Sequence, residues 1–268
     1  IEKVSDRKVR DEWKPLWGKR AVVEDHFNEL VIDLVNPAGQ PERMQLVVRG
    51  YNDGFAFCYK IPDGKGPCVN VQSELTAYNF AGDYTAWFYN GENHNIGPEK
   101  LTETDGTRLP VMTVKAGDKH YMAIHEACLE TGAPLVLQSK GGESLFSVAS
   151  KPTSLSPGYT SAWRVVLYGT TPGVLTDSHL LELLNPDPDS RYDFSWVKPG
   201  LAVWDWRING AVWDGFTYGM SYPSWVRMVD FAAEQGFKYL VLDANWYGPE
   251  FESDSDPVKG EKAQDVQR

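Results

Sequence analysis

The sequence predicts two fold classes along one chain of 268 residues: an antiparallel β-sandwich in front and a β/α unit behind. In the front part, short β-prone runs are separated by turn signals roughly every 8–15 residues, as is typical of sandwiches. The pattern changes at the Pro/Asp-rich segment NPDPDS (185–190), which is typical of a linker. A strand-like run, a helical run and a second strand-like run follow it. We therefore expect domains at 1–192 and 193–268.

The strands of the front part are predicted from runs of β-branched and aromatic residues bounded by Gly, Pro and Asn. These runs are AVVEDHFNELVIDLVN, RMQLVVRGY, FAFCYKIP, TAWFYN, LPVMTVKAG, KHYMAIHEACLE, APLVLQS, SLFSVAS and SAWRVVLYGT. Since they follow one another with short connections, we expect an antiparallel arrangement. HLLELL (179–184) is expected to form a short helical or irregular apolar piece.

The back part has the pattern of a βαβ unit. LAVWDWRI and FKYLVLD are predicted strands, NGAVWDGFTYGM is a predicted loop, and a helix lies between the loop and the second strand. The helix is predicted from apolar residues at helical spacing: Trp225, Met228, Val229, Ala232 and Ala233. Ser221 or a neighbour is expected to cap its start, and Gly236 suits its end. A closed (β/α)8 barrel needs about 250 residues, so we expect an incomplete barrel, completed by the same gene product.

Composition excludes some classes of partner and suggests another. The net charge of −11 disfavours binding to phosphate backbones, and no apolar run reaches the roughly 18 residues of a membrane span. Ten Trp residues indicate either a Trp-rich core or sugar binding by stacking on indole faces. Cys58, Cys68 and Cys128 lack the spacing of a zinc site. Cys58 and Cys68 could form a disulfide across the turn IPDGKGP, but the sequence does not establish one.

Carboxylates and indoles follow both predicted strands of the back part. Trp204, Asp205 and Trp206 end the first strand, and Asp243, Asn245 and Trp246 follow the second. The carboxyl ends of barrel strands form the active-site face, and glycosidases use carboxylates for chemistry and indoles to hold the ring. The alternative is structural, with Asp243 capping its loop and Trp246 packing beneath it.

The segment IHEACLE (124–130) contains a candidate metal ligand. It does not match HExxH, because Leu129 stands where the second His is required. On a strand His125 and Glu126 point to opposite faces, so both cannot bind one ion. Glu126 alone is either a surface glutamate or one oxygen ligand of a hard cation such as Ca²⁺.

An ordered set of motifs resembles glycoside hydrolase family 97. The motifs are GDYTAWF (82–88), YMAIHEACL (121–129), AWRVV (162–166), DFSWVKPGLAVWDW (193–206) and DFAAEQGFKYLVLDANWYGPE (230–250). They cover about residues 20–250, in the order in which the family has them. The last two are the most specific.

The resemblance implies an N-terminal β-super-sandwich of the galactose mutarotase type, then a (β/α)8 barrel. It implies an exported, periplasmic or extracellular, exo-acting enzyme that removes α-linked glucose or galactose from oligosaccharides. It also implies Ca²⁺ dependence, with Glu126 as a calcium ligand, and an indole near the sugar at Trp204. Arg164, from a recurrent Trp-Arg pair, joins the predicted substrate-binding residues.

The same resemblance implies that the catalytic carboxylates come from later barrel strands, beyond Arg268. The predicted substrate-binding residues of this chain are therefore Arg164, Trp204, Asp205, Trp206, Asp243 and Trp246, with no catalytic residue among them. A non-catalytic carbohydrate-binding or assembly protein with a degenerate barrel is the alternative. Neither the oligomeric state nor the choice between glucose and galactose follows from the sequence.

Overall fold

The computed structural model describes residues 1–37, 39, 42–89, 91, 95–243, 246–250, 252–253 and 255–256. The chain forms two compact units, Ile1–Ser190 and Arg191–Arg268. Each unit has its own elements and is described by itself. Within the described ranges, no helix combines the length and the apolar character that a membrane span requires.

Unit 1 is built almost entirely of strands. They are β1 Lys3–Trp13, β2 Val23–Val35, β3 Arg43–Tyr51, β4 Gly54–Lys60, β5 Val69–Val71, β6 Ala77–Asn79, β7 Thr85–Tyr89, β8 Asn95–Lys100, β9 Asp105–Lys115, β10 Tyr121–Ala127, β11 Leu137–Lys140, β12 Leu145–Val148, β13 Thr153–Leu155 and β14 Trp163–Gly169. Two short helices follow, α1 Pro172–Asp177 and α2 Leu180–Leu183.

Twelve of these strands form one antiparallel sheet, which confirms the predicted fold class of the front part. The order is β1-β2-β3-β4-β14-β10-β9-β11-β12-β6, with β7 pairing β8 and β9 off this path. The long strand β9 pairs with different strands along its length: residues 105–108 pair with β11, and residues 112–115 pair with β10. The remaining strands, β5 and β13, form a two-stranded sheet.

Strand β10 separates two hydrophobic cores by simple alternation of its side chains. Ala123 and Ala127 belong to a core that includes Trp163 of β14 and Leu180 of α2. Ile124 belongs to a second core made with β7, β9, β11 and β12. Successive residues of a strand point to opposite faces, so even-numbered residues of β10 face the second core.

Unit 2 contains β15 Ala202–Trp204, α3 Asp205–Ile208, β16 Val212–Trp213, β17 Phe216–Thr217, α4 Tyr222–Gln235 and β18 Tyr239–Val241. β15 and β18 pair in parallel, with Val203 opposite Leu240, as expected of a βαβ unit. The predicted helix ends as expected, because Gly236 adopts a left-handed conformation with φ of 71°. Ser221 takes the N-cap position without a side-chain cap bond.

Several local elements differ from the sequence prediction. β1 was not predicted, and pairs along all eleven residues with β2. The predicted loop 209–220 contains the hairpin β16–β17, whose turn has Asp214 and Gly215 at positive φ. The first strand of unit 2 stops at Trp204, and Asp205 and Trp206 begin a one-turn helix instead.

The helix α4 buries a narrower stripe than its sequence pattern predicts. Trp225, Met228 and Ala232 are buried, whereas Val229 is 50% exposed and Ala233 is also exposed. The helical spacing was therefore predicted correctly, but the buried stripe is narrower than the predicted one, because it excludes Val229 and Ala233.

The three cysteines are free thiols in the structure. Cys58 is buried in the first core and Cys68 is exposed, so the disulfide left open from sequence is not present. Burial raises the pKa of the Cys58 thiol to about 11, so this thiol stays protonated near neutral pH.

Candidate functional site

Arg164, Glu74 and Glu126 form a buried ion cluster in unit 1, named here the Arg164 cluster. The Arg164 side chain is 2% exposed and lies on β14. Its Nε donates to Glu74 Oε1 at 3.0 Å and its Nη2 donates to Glu74 Oε2 at 2.6 Å. This is a bidentate arginine–carboxylate pair, a geometry that suits the planar guanidinium.

Glu126 joins the cluster because of strand register. It stands directly opposite Arg164 in the antiparallel pair β10–β14, so both side chains leave the same face of the sheet. Arg164 Nη1 lies 3.5 Å from Glu126 Oε2, and the backbone N–H of Leu135 also donates to Oε2. The Glu126 side chain is only 8% exposed.

The charges in this cluster are not evenly matched. Burial opposes the charge on Arg164, but the bonds to Glu74 raise its pKa above the ordinary value. Burial raises the pKa of Glu126, and the Leu135 amide and Arg164 only partly oppose this. Arg164 compensates the negative charge of Glu126 only in part, because its guanidinium is already paired with Glu74 at a shorter distance. Glu126 is therefore a buried carboxylate with incomplete charge compensation.

Aromatic hydroxyls lie close to the cluster. Tyr59 and Thr76 share a hydrogen bond of 3.0 Å between their hydroxyls. The hydroxyl of Tyr78 is buried and has no hydrogen-bond partner among the described residues, and burial raises its pKa far above the usual range. Within unit 1, this end of the sheet therefore combines carboxylates, one cation and hydroxyl groups.

Glu126 fits the role of one calcium ligand, not that of a complete site. Ca²⁺ takes about six to eight oxygen ligands. The described residues contain no group of three or more His, Cys, Asp or Glu arranged to hold a metal. Oε2 of Glu126 is engaged by Leu135 and Arg164, which orients the carboxylate and leaves Oε1 as the oxygen for a ligand. A nearby cation would supply the charge compensation that Glu126 lacks.

In unit 2, Asp205 ties three elements together. It is 1% exposed, its Oδ2 accepts a bond of 2.9 Å from Trp225 Nε1, and its Oδ1 accepts one of 3.0 Å from the Asp243 backbone N–H. It thereby links the start of α3 to helix α4 and to the end of β18. With both oxygens engaged inside unit 2, Asp205 holds the ends of the two parallel strands in place.

Trp204 and Asp243 meet where the two parallel strands end. Trp204 Nε1 donates to Asp243 Oδ2 at 2.6 Å, and the Arg207 guanidinium lies 4.9 Å from the Trp204 ring centroid. Trp204 remains 37% exposed and Trp206 49% exposed. The predicted grouping of Trp204, Asp205 and Asp243 is thus present in unit 2, at the carboxyl ends of its strands.

The other predicted rim residues are less well connected. Trp246 packs edge-to-face on Tyr247, with ring centroids 5.5 Å apart. Asn245 lies outside the described residues. Sequence reasoning missed Glu74 and Trp225 as partners, since Glu74 lies 90 positions from Arg164 and Trp225 was assigned only to the apolar stripe of α4.

A family model described as the glycosyl-hydrolase 97 N-terminal domain matches residues 1–186. A retaining alpha-galactosidase from Bacteroides thetaiotaomicron is 27% identical over 286 residues, which cover 90% of this chain and 42% of the relative. A probable retaining alpha-galactosidase from Streptomyces bingchenggensis is 30% identical over 225 residues, which cover 76% of this chain and 32% of the relative. The chain thus spans less than half the length of these relatives.

The fold is also similar to that of a solved enzyme. A glycoside hydrolase family 97 enzyme from Pseudoalteromonas sp. strain K8, in complex with acarbose, superposes with a TM-score of 0.75 at 24% identity. The match covers 96% of this chain and 43% of that enzyme.

Proposed function

Because the chain belongs to glycoside hydrolase family 97, we propose that it is part of a retaining α-galactosidase that releases terminal α-linked galactose from oligosaccharides. The observation that carries the proposal is the 30% identity to the Streptomyces protein over 76% of this chain. The identity of 27% to the Bacteroides enzyme over 90% of the chain supports the same substrate class. α-Linked glucose is the competing substrate.

Unit 2 is, in this proposal, the opening of a (β/α)8 barrel. The parallel pair β15–β18 with helix α4 between its strands supports this, since that arrangement is the repeating unit of such barrels. The relatives are more than twice as long as the matched region, which leaves room for the rest of a barrel. We place the catalytic carboxylates on later strands, beyond Arg268.

Unit 2 would then contribute one wall of the sugar pocket. The half-exposed indoles of Trp204 and Trp206 offer faces for stacking against a sugar ring, and Trp246 is proposed as a third. Asp243 would accept hydrogen bonds from sugar hydroxyls while its Oδ2 fixes Trp204. Asp205 would act through these two residues, because its own oxygens hold Trp225 and the Asp243 backbone.

Unit 1 would contribute the ion cluster. We assign Glu126 as one ligand of Ca²⁺, with the remaining ligands outside the described residues. When bound, Ca²⁺ would act as a Lewis acid that stabilises charge developing on the substrate. Arg164 would hold Glu126 in position and Glu74 would hold Arg164, so neither needs to touch the sugar. Location in the periplasm or outside the cell is part of the proposal.

The test is hydrolysis by the protein expressed from its complete gene. We expect release of galactose from p-nitrophenyl α-galactoside, faster than release of glucose from the α-glucoside, and loss of activity with EDTA that Ca²⁺ restores. Proton NMR of the first product should show the α-anomer, since retaining enzymes conserve the configuration. A folded protein that turns over neither substrate would refute the proposal and favour the non-catalytic carbohydrate-binding alternative.

Location has a separate test. Cells expressing the complete gene can be fractionated, and the protein located by antibody. We expect it in the periplasmic or extracellular fraction. Recovery in the cytoplasmic fraction alone would contradict the proposed export.

A further inference from the structure

Unit 1 contains a cavity with mixed polar and apolar walls outside the Arg164 cluster. Its volume is about 510 Å³, which lies within the range of small-molecule sites. Its walls come from the loop between β1 and β2, the start of β2, the end of β3 with the turn after it, and the helices α1 and α2 with the residues between them.

His179 is the unusual residue of this cavity, named here the His179 cavity. It is 7% exposed, and its ring packs edge-on against Trp13 with centroids 6.1 Å apart. Neither ring nitrogen has a hydrogen-bond partner among the described residues. Nδ1 comes within 3.4 Å of Glu182 Oε1, but without the geometry of a hydrogen bond. Buried polar groups are normally paired, and both nitrogens are enclosed in the structure, so a ligand in the cavity would reach them once the ring turns towards it.

The other wall residues offer donors and acceptors together. Arg20 and the Asn52 amide can donate, whereas Glu24, Asp53 and Asp177 can accept. Val22, Val174, Leu180 and Leu183 supply apolar surface beside them. Hydroxyl groups both donate and accept, so a polyol with C–H faces matches this mixture.

Other ligand classes match less well. An anion only accepts hydrogen bonds and would meet three carboxylates against the Arg20 guanidinium and the two imidazoles of His26 and His179. An ammonium cation only donates, so it would pair with the carboxylates but would leave the ring N–H of His179 without an acceptor. A metal ion is disfavoured because no metal-binding group of three is found in the described part of the chain.

We propose that the His179 cavity binds a neutral mono- or disaccharide through His179, Asn52 and the surrounding carboxylates. The inference goes beyond the proposed hydrolysis, since it requires no bond to be broken. It would give unit 1 the capacity to hold a sugar by itself.

Isothermal titration of this chain with galactose, melibiose, glucose and maltose tests the proposal. We expect at least one saccharide to bind with a Kd of about 1 mM or tighter. Sodium sulfate and spermidine serve as the anionic and cationic probes, and we expect both to bind more weakly. Tighter binding of either probe than of every saccharide, or no saccharide binding, would overturn the inference.

Two variants locate the binding. His179→Phe keeps a ring against Trp13 but removes both nitrogens, and Asn52→Ala shortens an exposed side chain in the turn between β3 and β4. Each should weaken saccharide binding about tenfold or more, the equivalent of one lost hydrogen bond. The matched controls are His120→Phe and Asn70→Ala, both at exposed positions away from the cavity walls.

The outcomes separate this inference from the proposed function. If His179→Phe fails to fold, Asn52→Ala decides alone, and unchanged affinity there refutes the site. Turnover of an α-galactoside by the complete protein, with no saccharide bound to this chain, overturns the cavity and leaves the enzyme standing. If saccharide binding is lost in Asn52→Ala and the complete protein turns over no substrate, the cavity is supported and the proposed hydrolysis is overturned.

Discussion

The substitution Glu74→Ala removes the carboxylate that pairs with Arg164 through two hydrogen bonds of 3.0 and 2.6 Å. Arg164 is 2% exposed, so the loss of Glu74 leaves its charge largely shielded from solvent. The contacts left to Arg164 are long, at 3.5 Å to Glu126 and 3.4 Å to the Ala133 carbonyl. A buried guanidinium would then be left with poor compensation.

The size of the effect follows from these exposures. Removing one partner of a buried ion pair costs about 3–5 kcal/mol. Glu74 is 18% exposed and Glu126 still faces Arg164, so we take the lower end, about 3 kcal/mol. At roughly 2–4 °C per kcal/mol for a domain of this size, the Tm should fall by about 6–12 °C.

The assay is thermal unfolding followed by circular dichroism. The matched control is Glu2→Ala, because Glu2 pairs with Arg43 by two similar bonds, of 2.6 and 3.2 Å, at side chains about half exposed. An exposed pair contributes about 0–1 kcal/mol, so this variant should melt within a few degrees of the parent. Equal losses in the two variants would refute the reasoning.

Three further changes test other parts of the structure. Burial raises the folded-state pKa of Glu126, so the stability of the parent relative to Glu126→Gln should be greatest below the ordinary pKa of 4.5 and should decline as pH rises through the raised pKa. Urea titrations across that pH window measure the difference in unfolding free energy between the two proteins. A difference that does not change with pH would contradict the prediction. Asp205→Ala leaves two donors unpaired, Trp225 Nε1 and the Asp243 amide, so unit 2 should lose about 2 kcal/mol and exchange its amide hydrogens faster, with unit 1 unchanged. Gly236→Ala forces a side chain onto a left-handed residue and should cost about 1 kcal/mol in unfolding free energy, whereas no measurable loss would mean that the helix end rearranges.

Local patterns predicted the elements that local chemistry determines. The helix α4 was predicted from apolar spacing and from Gly236, and the parallel pairing of β15 with β18 was predicted from strand-helix-strand order. β1 was missed because KVSDRKVRDEW carries charges at most positions and buries almost none of them. Its order comes from pairing with β2 along its whole length, which is a property of two segments together.

The Arg164 cluster shows where sequence reasoning ends. Arg164 and Glu126 could be singled out from motifs, but their contact depends on the register of β10 against β14, which places them directly opposite each other. A slip of one residue would turn every side chain of β10 to the other face, and Glu126 would point into the core that contains Trp163. That buried carboxylate would have no cation beside it. The alternation of Ala123, Ile124 and Ala127 between two apolar cores therefore fixes the register, and with it the position of the only charged side chain that faces Arg164 across this strand pair.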